Sequence, residues 1–423
     1  MSRTVIVCLT VVPALLLSGC GDPIGPGSDT ITELPRALTV SEQAVIRNGN
    51  TFGLDLVREA IARDERPNVV LSPLSASMAL GMTMNGAAGA TFDAMRSTLG
   101  FEGLSQTEIN TAYRGLLDLL TGLDPEVKFD IANSVWANKD APFKDAFLQA
   151  VRSAFDAEVQ SRDFADPATL TAINAWVKAN TEGLIEKILD QLDPGMVSVL
   201  INAIYFDGAW TSRFDPAKTT PGPFRRADGS TVQVDMMNLS GGVEFPFAAA
   251  ADYTAVELPY GGEAFSMVVV VPQDDVRTFV RGLDSSRWES ILQGLTKREL
   301  DQLSIPKFTV SFDTWLNDPL KAMGMGVAFR PGADFTNMSP VGDQICIDFV
   351  RQKTYIEVDE RGTKAAAVTA VGTRLVSFTG LIADRPFVFA LRERLSGTLL
   401  FVGMVGDPTA EEQEPPDLVS ECR

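Results

Sequence analysis

Residues 356–385 read IEVDERGTKAAAVTAVGTRLVSFTGLIADR, and this stretch decides what the rest of the chain has to form. From residue 363 onward every second side chain is small, β-branched or apolar, whereas Lys364 and Arg374 fall on the opposite face. Such alternation is typical of a β-strand with one buried and one solvated side. The uncharged face consists of Thr363, Ala365, Ala367, Thr369, Val371, Thr373 and Leu375.

The same stretch has weak strand propensity when it is considered alone. Residues 365–372 contain four alanines and one glycine, which offer little side-chain area for packing. A strand of this composition needs a partner sheet to become stable. A surface loop rich in alanine, or a short helix that begins after Thr363, is the alternative that composition leaves open.

A more specific pattern lies in residues 358–369, VDERGTKAAAVT. It resembles the hinge of the reactive loop in inhibitory serpins, where glutamate, any residue, glycine, threonine and any residue precede a run of alanines. Residues 384–392 and 397–408 resemble the closing strands of that family. The resemblance implies a reactive loop at about residues 360–385. Its hinge would consist of Glu360, Gly362, Thr363, Ala365, Ala366, Ala367, Val368 and Thr369.

Two further blocks resemble the shutter and breach of serpins, the regions where the central sheet parts. They are residues 68–80, NVVLSPLSASMAL, and residues 199–210, VLINAIYFDGAW. The resemblance implies that Ser72, Ser75, Asn202 and Trp210 occupy shutter or breach positions. Simple capping of a helix by Ser72, and a core role for the Trp210 ring, are compatible alternatives.

One shutter position departs from the family's pattern. Gln352 stands where most serpins carry a histidine. A glutamine side chain still donates and accepts hydrogen bonds, but it cannot acquire a charge near neutral pH. The resemblance therefore implies a shutter whose opening lacks histidine-linked pH sensitivity.

The similarity extends over residues 41–408 and implies an α+β fold. We expect a single serpin domain with a large central β-sheet, further smaller sheets, about eight or nine helices and an exposed reactive-centre loop. The first helix is predicted to begin at the Asn50-Thr51 capping signal and to end at about Asp64. The acidic residues 409–423 are predicted to form a disordered tail.

The first 20 residues have the form of a signal peptide. Arg3 precedes a mostly apolar run of about 13 residues, which is short of the ~20 needed to span a bilayer. The sequence Leu-Ser-Gly-Cys that ends at Cys20 resembles a bacterial lipobox, whose cysteine receives the lipid. Residues 21–40 then form a flexible tether rich in glycine and proline. We expect an exported protein, either anchored at the cell envelope through Cys20 or secreted after a plain signal cleavage.

Composition excludes several classes of function. The net charge is −19, with 36 basic and 55 acidic residues, so nucleic acid and heparin-like polyanions are poor partners. Histidine is absent, which removes Ser-His-Asp catalysis and His-liganded metal sites. An exported hydrolase that uses Ser72 or Ser75 would lack its base. We therefore expect no enzyme activity, no cofactor and no metal, and a monomer.

The cysteines Cys346 and Cys422 remain after the signal segment is removed. An exported setting permits a disulfide that ties the tail to the domain. A buried Cys346 with a free Cys422 is the alternative.

The resemblance implies a suicide inhibitor of serine proteases, in which the loop offers a bond, is cleaved and enters the central sheet. Counting from Glu360 places the reactive bond at Val376-Ser377, whereas counting back from Pro386 places it at Leu375-Val376. Both predict an elastase-like or chymotrypsin-like target. The trypsin-like alternative, Arg374-Leu375, is less favoured.

A non-inhibitory serpin that acts as a binding or chaperone-like module is the rival prediction. Bulky or charged residues normally spoil the hinge of such proteins. Here only Val368, on the outward face, is larger than alanine in residues 365–368. The composition of the hinge therefore favours an inhibitor.

Overall fold

The computed structural model describes residues 30–361 and 379–411, together with Pro415 and Cys422. The predicted signal peptide, its lipidation site Cys20 and the first part of the tether lie outside these residues. Most of the predicted hinge and all candidate reactive bonds lie outside them as well. These positions are Gly362, Thr363, Ala365, Ala366, Ala367, Val368, Thr369, Arg374, Leu375, Val376 and Ser377.

Nine α-helices occur in the described ranges. They are α1 (Val40–Arg63), α2 (Pro73–Met84), α3 (Gly89–Thr98), α4 (Gln106–Leu120), α5 (Asp145–Phe155), α6 (Pro167–Asn180), α7 (Val276–Arg281), α8 (Ser285–Gly294) and α9 (Asn317–Leu320). None of the helices within residues 30–361 and 379–411 is long and apolar enough to cross a membrane.

The same ranges contain the strands of three sheets. They are β1 (Asn68–Leu71), β2 (Val127–Asn138), β3 (Glu158–Arg162), β4 (Ser198–Gly208), β5 (Thr220–Arg225), β6 (Thr231–Ala249), β7 (Tyr253–Tyr260), β8 (Phe265–Pro272), β9 (Thr296–Pro306), β10 (Phe308–Trp315), β11 (Arg351–Val358), β12 (Gly380–Ile382), β13 (Phe387–Glu393) and β14 (Leu399–Val405).

The largest sheet has nine strands in the order β1-β14-β13-β8-β7-β6-β9-β12, with β5 paired to β6. Its pairs are antiparallel except β12 with β9. A second sheet has the order β3-β2-β4, and a third consists of β10 and β11. The expected α+β fold, with a large sheet and smaller ones, is confirmed.

Helix α1 begins earlier than the sequence analysis predicted. The Thr39 side chain accepts a hydrogen bond from the Glu42 amide, and the Glu42 carboxylate accepts one from the Thr39 amide. This reciprocal capping box satisfies two amide donors at the start of the helix. Asn50 and Thr51 lie inside the helix, so the predicted start there is wrong.

The core lies between the large sheet and the helices that cover it. Strands β8 and β14 are buried at every position, which explains their uninterrupted apolar sequences. Helix α2 packs against both β14 and β4. It therefore joins the large sheet to the three-stranded sheet that contains β4.

Candidate functional site

The edges of β4 and β11 face each other without pairing. β4 pairs with β2, and β11 pairs with β10. Within the part of the chain that the structure describes, neither strand has a partner on its second side. Between them lies a cavity of about 410 Å³, lined by residues of both strands and floored by Ser72, Ser75 and Ala76. We call this space the cleft.

Both strands run toward the same end of the cleft. Just beyond their last residues, the indole nitrogen of Trp210 donates to the carbonyl oxygen of Asp359 at 2.9 Å. Near the first residue of β11, Arg351 forms an ion pair with Asp190 at 3.1 Å. We call the end marked by Trp210 and Asp359 the upper end, and the opposite end the lower end. A strand that entered the cleft at the upper end and ran toward the lower end would be antiparallel to both β4 and β11. It could form hydrogen-bonded ladders with β4 and β11 at once.

The middle of the cleft is held by a buried glutamine. Gln352 is 7% exposed, and its Oε1 accepts from the Ser72 amide at 2.9 Å while its Nε2 donates to the Ser72 carbonyl at 3.0 Å. The Ser72 hydroxyl donates to Leu400 O at 2.7 Å and accepts from the Ser75 amide at 3.2 Å. Ser72 therefore caps α2 and also joins that helix to β11 and β14.

On the opposite wall, Asn202 carries an unpaired acceptor. Its Nδ2 donates to Asn133 Oδ1 at 2.8 Å, and Asn133 in turn donates to Phe155 O at 2.7 Å. The Asn202 Oδ1 is buried and has no hydrogen-bond partner among the described residues. An unsatisfied buried acceptor costs free energy, so this oxygen favours a donor that enters the cleft.

At the upper end, Trp210 is 4% exposed and stacks on Tyr260 with 4.2 Å between ring centroids. Phe214 contacts the indole edge-on. The ring is thus a core aromatic, and its N–H also fixes the residue that follows β11. The two alternatives for Trp210 are both compatible with this geometry.

Glu360, the first predicted hinge residue, is anchored by two donors. Thr219 Oγ1 donates to one carboxylate oxygen at 2.7 Å, and Lys307 Nζ lies 2.8 Å from the other. Burial opposes ionisation of Glu360, but these hydrogen bonds outweigh it and hold its pKa below the ordinary value. The hydrogen bond to Glu360 raises the pKa of Lys307, against a smaller effect of burial.

Sequence reasoning missed several of these partners. Thr219, Lys307 and Asn133 contact predicted site residues but were not predicted as site residues themselves. Lys307 is the single charged residue between the apolar ends of β9 and β10, and this was the available signal. The sequence offers no comparable signal for Thr219 or Asn133.

The lower end of the cleft contains a disulfide. Cys346 and Cys422 are bonded to each other with 5.7 Å between their Cα atoms, and both residues line the cavity. The alternative of a free Cys422 is wrong. The described residues contain no cluster of acidic or cysteine side chains able to hold a metal ion.

Comparisons with known proteins agree with this geometry. A family model described as "Serpin (serine protease inhibitor)" matches residues 47–408. Neuroserpin of Gallus gallus is 33% identical over 378 residues, covering 85% of this chain and 90% of that protein. Iripin-5 of Ixodes ricinus is 33% identical over 367 residues, covering 84% and 93%. The native crystal structure of the thermophilic serpin tengpin has a TM-score of 0.77 and 30% identity, covering 90% of this chain and 97% of that one.

We predict that Gln352→Leu destabilises the protein by removing the two hydrogen bonds that join β11 to Ser72 at the start of α2. The substitution leaves the buried Ser72 amide without its acceptor, which should lower the free energy of unfolding by about 1–3 kcal/mol. The measurement is the midpoint of the first urea unfolding transition. Gln344→Leu, at an exposed glutamine in the wall of the same cleft, is the control and should change little. Equal midpoints for both variants would contradict the assigned role of Gln352.

We also predict that the ion pair between Glu360 and Lys307 is lost at acidic pH. The ion pair stabilises the native state fully above the ordinary glutamate pKa of 4.5, and this contribution is lost as the pH falls through the lower native pKa. At the alkaline side, the contribution of Lys307 is complete below 10.5 and is lost as the pH rises through its raised pKa.

Between pH 4.5 and pH 10.5 the contribution of the Glu360–Lys307 ion pair to the free energy of unfolding should be constant. The measurement is tryptophan fluorescence against pH, because Trp210 bonds the residue next to Glu360. Glu360→Gln should remove the acid step from the titration. An unchanged acid step in Glu360→Gln would assign it to another group.

Proposed function

The chain belongs to the serpin family, and from this premise we propose that it inhibits serine proteases by inserting its own cleaved loop between β4 and β11. One observation carries the proposal: two strand edges face each other across a cavity of about 410 Å³. A strand added there would give both edges a ladder of hydrogen bonds. Completing the sheet supplies the driving force for the change.

The burial pattern of β11 supports the faces assigned to the loop. Its even-numbered residues, from Gln352 to Val358, are buried, and its odd-numbered residues are more exposed. A turn at residues 359–362 would place Thr363 opposite Val358, and residues opposite each other share a face of the sheet. The odd-numbered loop residues would then face inward, and Lys364 and Arg374 would face solvent.

In that register Thr369 would lie opposite Gln352. Each step forward along the loop is one step back along β11, because the strands would be antiparallel. The Thr369 side chain would then point to the floor of the cleft, where Asn202 Oδ1 lacks a donor. We infer that the Thr369 hydroxyl donates to this oxygen after insertion, which would make the inserted state more favourable than the open one.

Inhibition follows from the order of the chemical steps. The protease serine attacks the carbonyl of Val376, an ester forms, and the amine of Ser377 leaves as a new amino terminus. Cleavage frees the loop, which enters the cleft while the protease is still esterified to its end. The ester is thereby carried toward the lower end of the cleft. Distortion of the protease then prevents water from completing the hydrolysis, and the inhibitor is consumed.

The class of target protease, the cellular location and the oligomeric state are also proposals. An apolar residue before the reactive bond, Val376 or Leu375, favours an elastase-like or chymotrypsin-like target. The non-inhibitory binding or chaperone-like module is the alternative, and the small uncharged hinge argues against it. Export, lipid anchoring at Cys20, a monomeric state and lack of affinity for heparin or nucleic acid stay predictions.

We predict a covalent complex with pancreatic elastase or chymotrypsin. Incubation should give a band at the summed mass that resists denaturant, and amino-terminal sequencing of the released fragment identifies the bond. The carboxy-terminal fragment separates only after reduction, because Cys422 bonds it to Cys346. A fragment that begins at Ser377 supports cleavage after Val376, whereas one that begins at Val376 supports cleavage after Leu375. Complete loop cleavage without the heavier band would mean that the protein is a substrate.

We predict that Thr363→Arg converts the inhibitor into a substrate. Insertion would bury an unpaired guanidinium, at an effective cost of several kcal/mol, and should stop before the ester moves. Val368→Arg places the same charge on the outward face of the same run and should retain inhibition. The stoichiometry of inhibition should rise by about tenfold or more in the first variant only, since ~1.4 kcal/mol already gives a tenfold change in partitioning. Equal values for both variants would rule out the assigned faces.

A further inference from the structure

Strand β12 is the first element after the candidate reactive bonds, and it is held firmly in the large sheet. It pairs with β9 in parallel, starting with Gly380 opposite Gln302. Just after β12, the Ala383 amide donates to Ser304 O at 2.9 Å. The chain on the carboxy-terminal side of the candidate bonds is therefore fixed from Gly380 onward.

Asp301 extends this fixed part by one residue, because it binds both main-chain groups of Thr379. The Asp301 amide donates to the Thr379 carbonyl oxygen at 2.8 Å, and the Asp301 Oδ2 accepts from the Thr379 amide at 2.8 Å. A hydrogen bond to a carboxylate is stronger than one between neutral groups. Asp301 is exposed, so its side chain is not needed to fill the core.

Thr379 lies close in sequence to the bond that a protease would attack. In the Val376-Ser377 assignment, Phe378 is the one residue between that bond and Thr379. A protease has to hold the chain in one geometry on both sides of the bond. A segment that is ordered beforehand loses less conformational entropy when the protease binds.

We propose that Asp301 is a positioning residue for protease docking, which orders the carboxy-terminal side of the reactive bond before the protease arrives. The inference rests on the proposed function, because it concerns the same loop. Its role is confined to the step before cleavage. The carboxy-terminal fragment contains β12, β13 and β14, which pair with β9, β8 and β1, and the proposed insertion moves only the chain on the amino-terminal side of the bond. Asp301 therefore affects how fast the protease docks and leaves the fate of the acyl-enzyme unchanged.

The test compares the wild type with Asp301→Ala, Asp301→Asn and Glu299→Ala. The asparagine retains an oxygen that accepts from the Thr379 amide but lacks the charge. Glu299→Ala removes another exposed carboxylate from β9 and is the control for charge. Two quantities are measured with pancreatic elastase and chymotrypsin: the second-order rate constant of loop cleavage and the stoichiometry of inhibition.

In Asp301→Ala the rate constant should fall about tenfold at unchanged stoichiometry, because one more residue has to be ordered on docking. Asp301→Asn and Glu299→Ala should stay close to the wild type. An unchanged rate in Asp301→Ala would overturn the proposal. An equal fall in Asp301→Ala and Asp301→Asn would mean that the charge attracts the protease, and a raised stoichiometry in Asp301→Ala would place the residue in insertion. Either result would also overturn it.

Failure of the proposed function gives a different result. If the wild type is cleaved without a covalent complex, inhibition fails, whereas the cleavage rates of the variants still decide the role of Asp301. Hydrogen exchange supplies a readout without any protease. The Thr379 amide should be protected in the wild type and in Asp301→Asn, and it should exchange faster in Asp301→Ala. Equally fast exchange in all three proteins would show that Asp301 does not fix Thr379, and the proposal would be abandoned.

Discussion

The structure depends on two strand edges that remain apart. β4 and β11 expose backbone donors and acceptors toward a common cleft, and such edges normally pair with whatever strand is available. The chain keeps them separate while holding a loop directly after β11 that has the right alternation to fill the gap. Under the proposed function the inserted arrangement is the more stable one, and the native state would persist because the route to it is slow.

The walls of the cleft are fixed by three different kinds of interaction, at its upper end, in its middle and at its lower end. At the upper end, charged and aromatic groups fix the residues that follow β11, through Glu360 with Lys307 and through Trp210. In the middle, the neutral amide of Gln352 joins β11 to the start of α2. At the lower end, the tie is a covalent bond between cysteines. Of these three contacts, the Glu360–Lys307 pair responds to protons and the disulfide to reductants, whereas the neutral amide of Gln352 does not titrate.

Residue patterns predicted the parts of this arrangement that are local. The Ser72 cap of α2 is such a part, whereas the alternation of the loop and most of the hinge lie outside the described residues and stay predictions. The start of α1 was mistaken because two capping signals compete and the reciprocal one at Thr39 prevailed. The partners of Glu360 and Asn202 could not be predicted, since they are far from them in sequence and only the fold brings them together. Whether Cys346 and Cys422 are bonded could not be predicted for the same reason.

The proposed insertion requires a turn of fixed length after β11, and the anchoring of residues 359–361 meets this requirement. A slip of one residue would exchange the two faces of the inserted strand and bury Lys364 and Arg374 under the sheet. Asp359 Oδ1 accepts from the Arg361 amide at 2.8 Å, which fixes the start of the turn locally, and Glu360 is held at 2.7 and 2.8 Å by two distant donors. The buried face of β11 sets which register is acceptable. In the proposed insertion, the anchors at residues 359–361 would start the loop in that register.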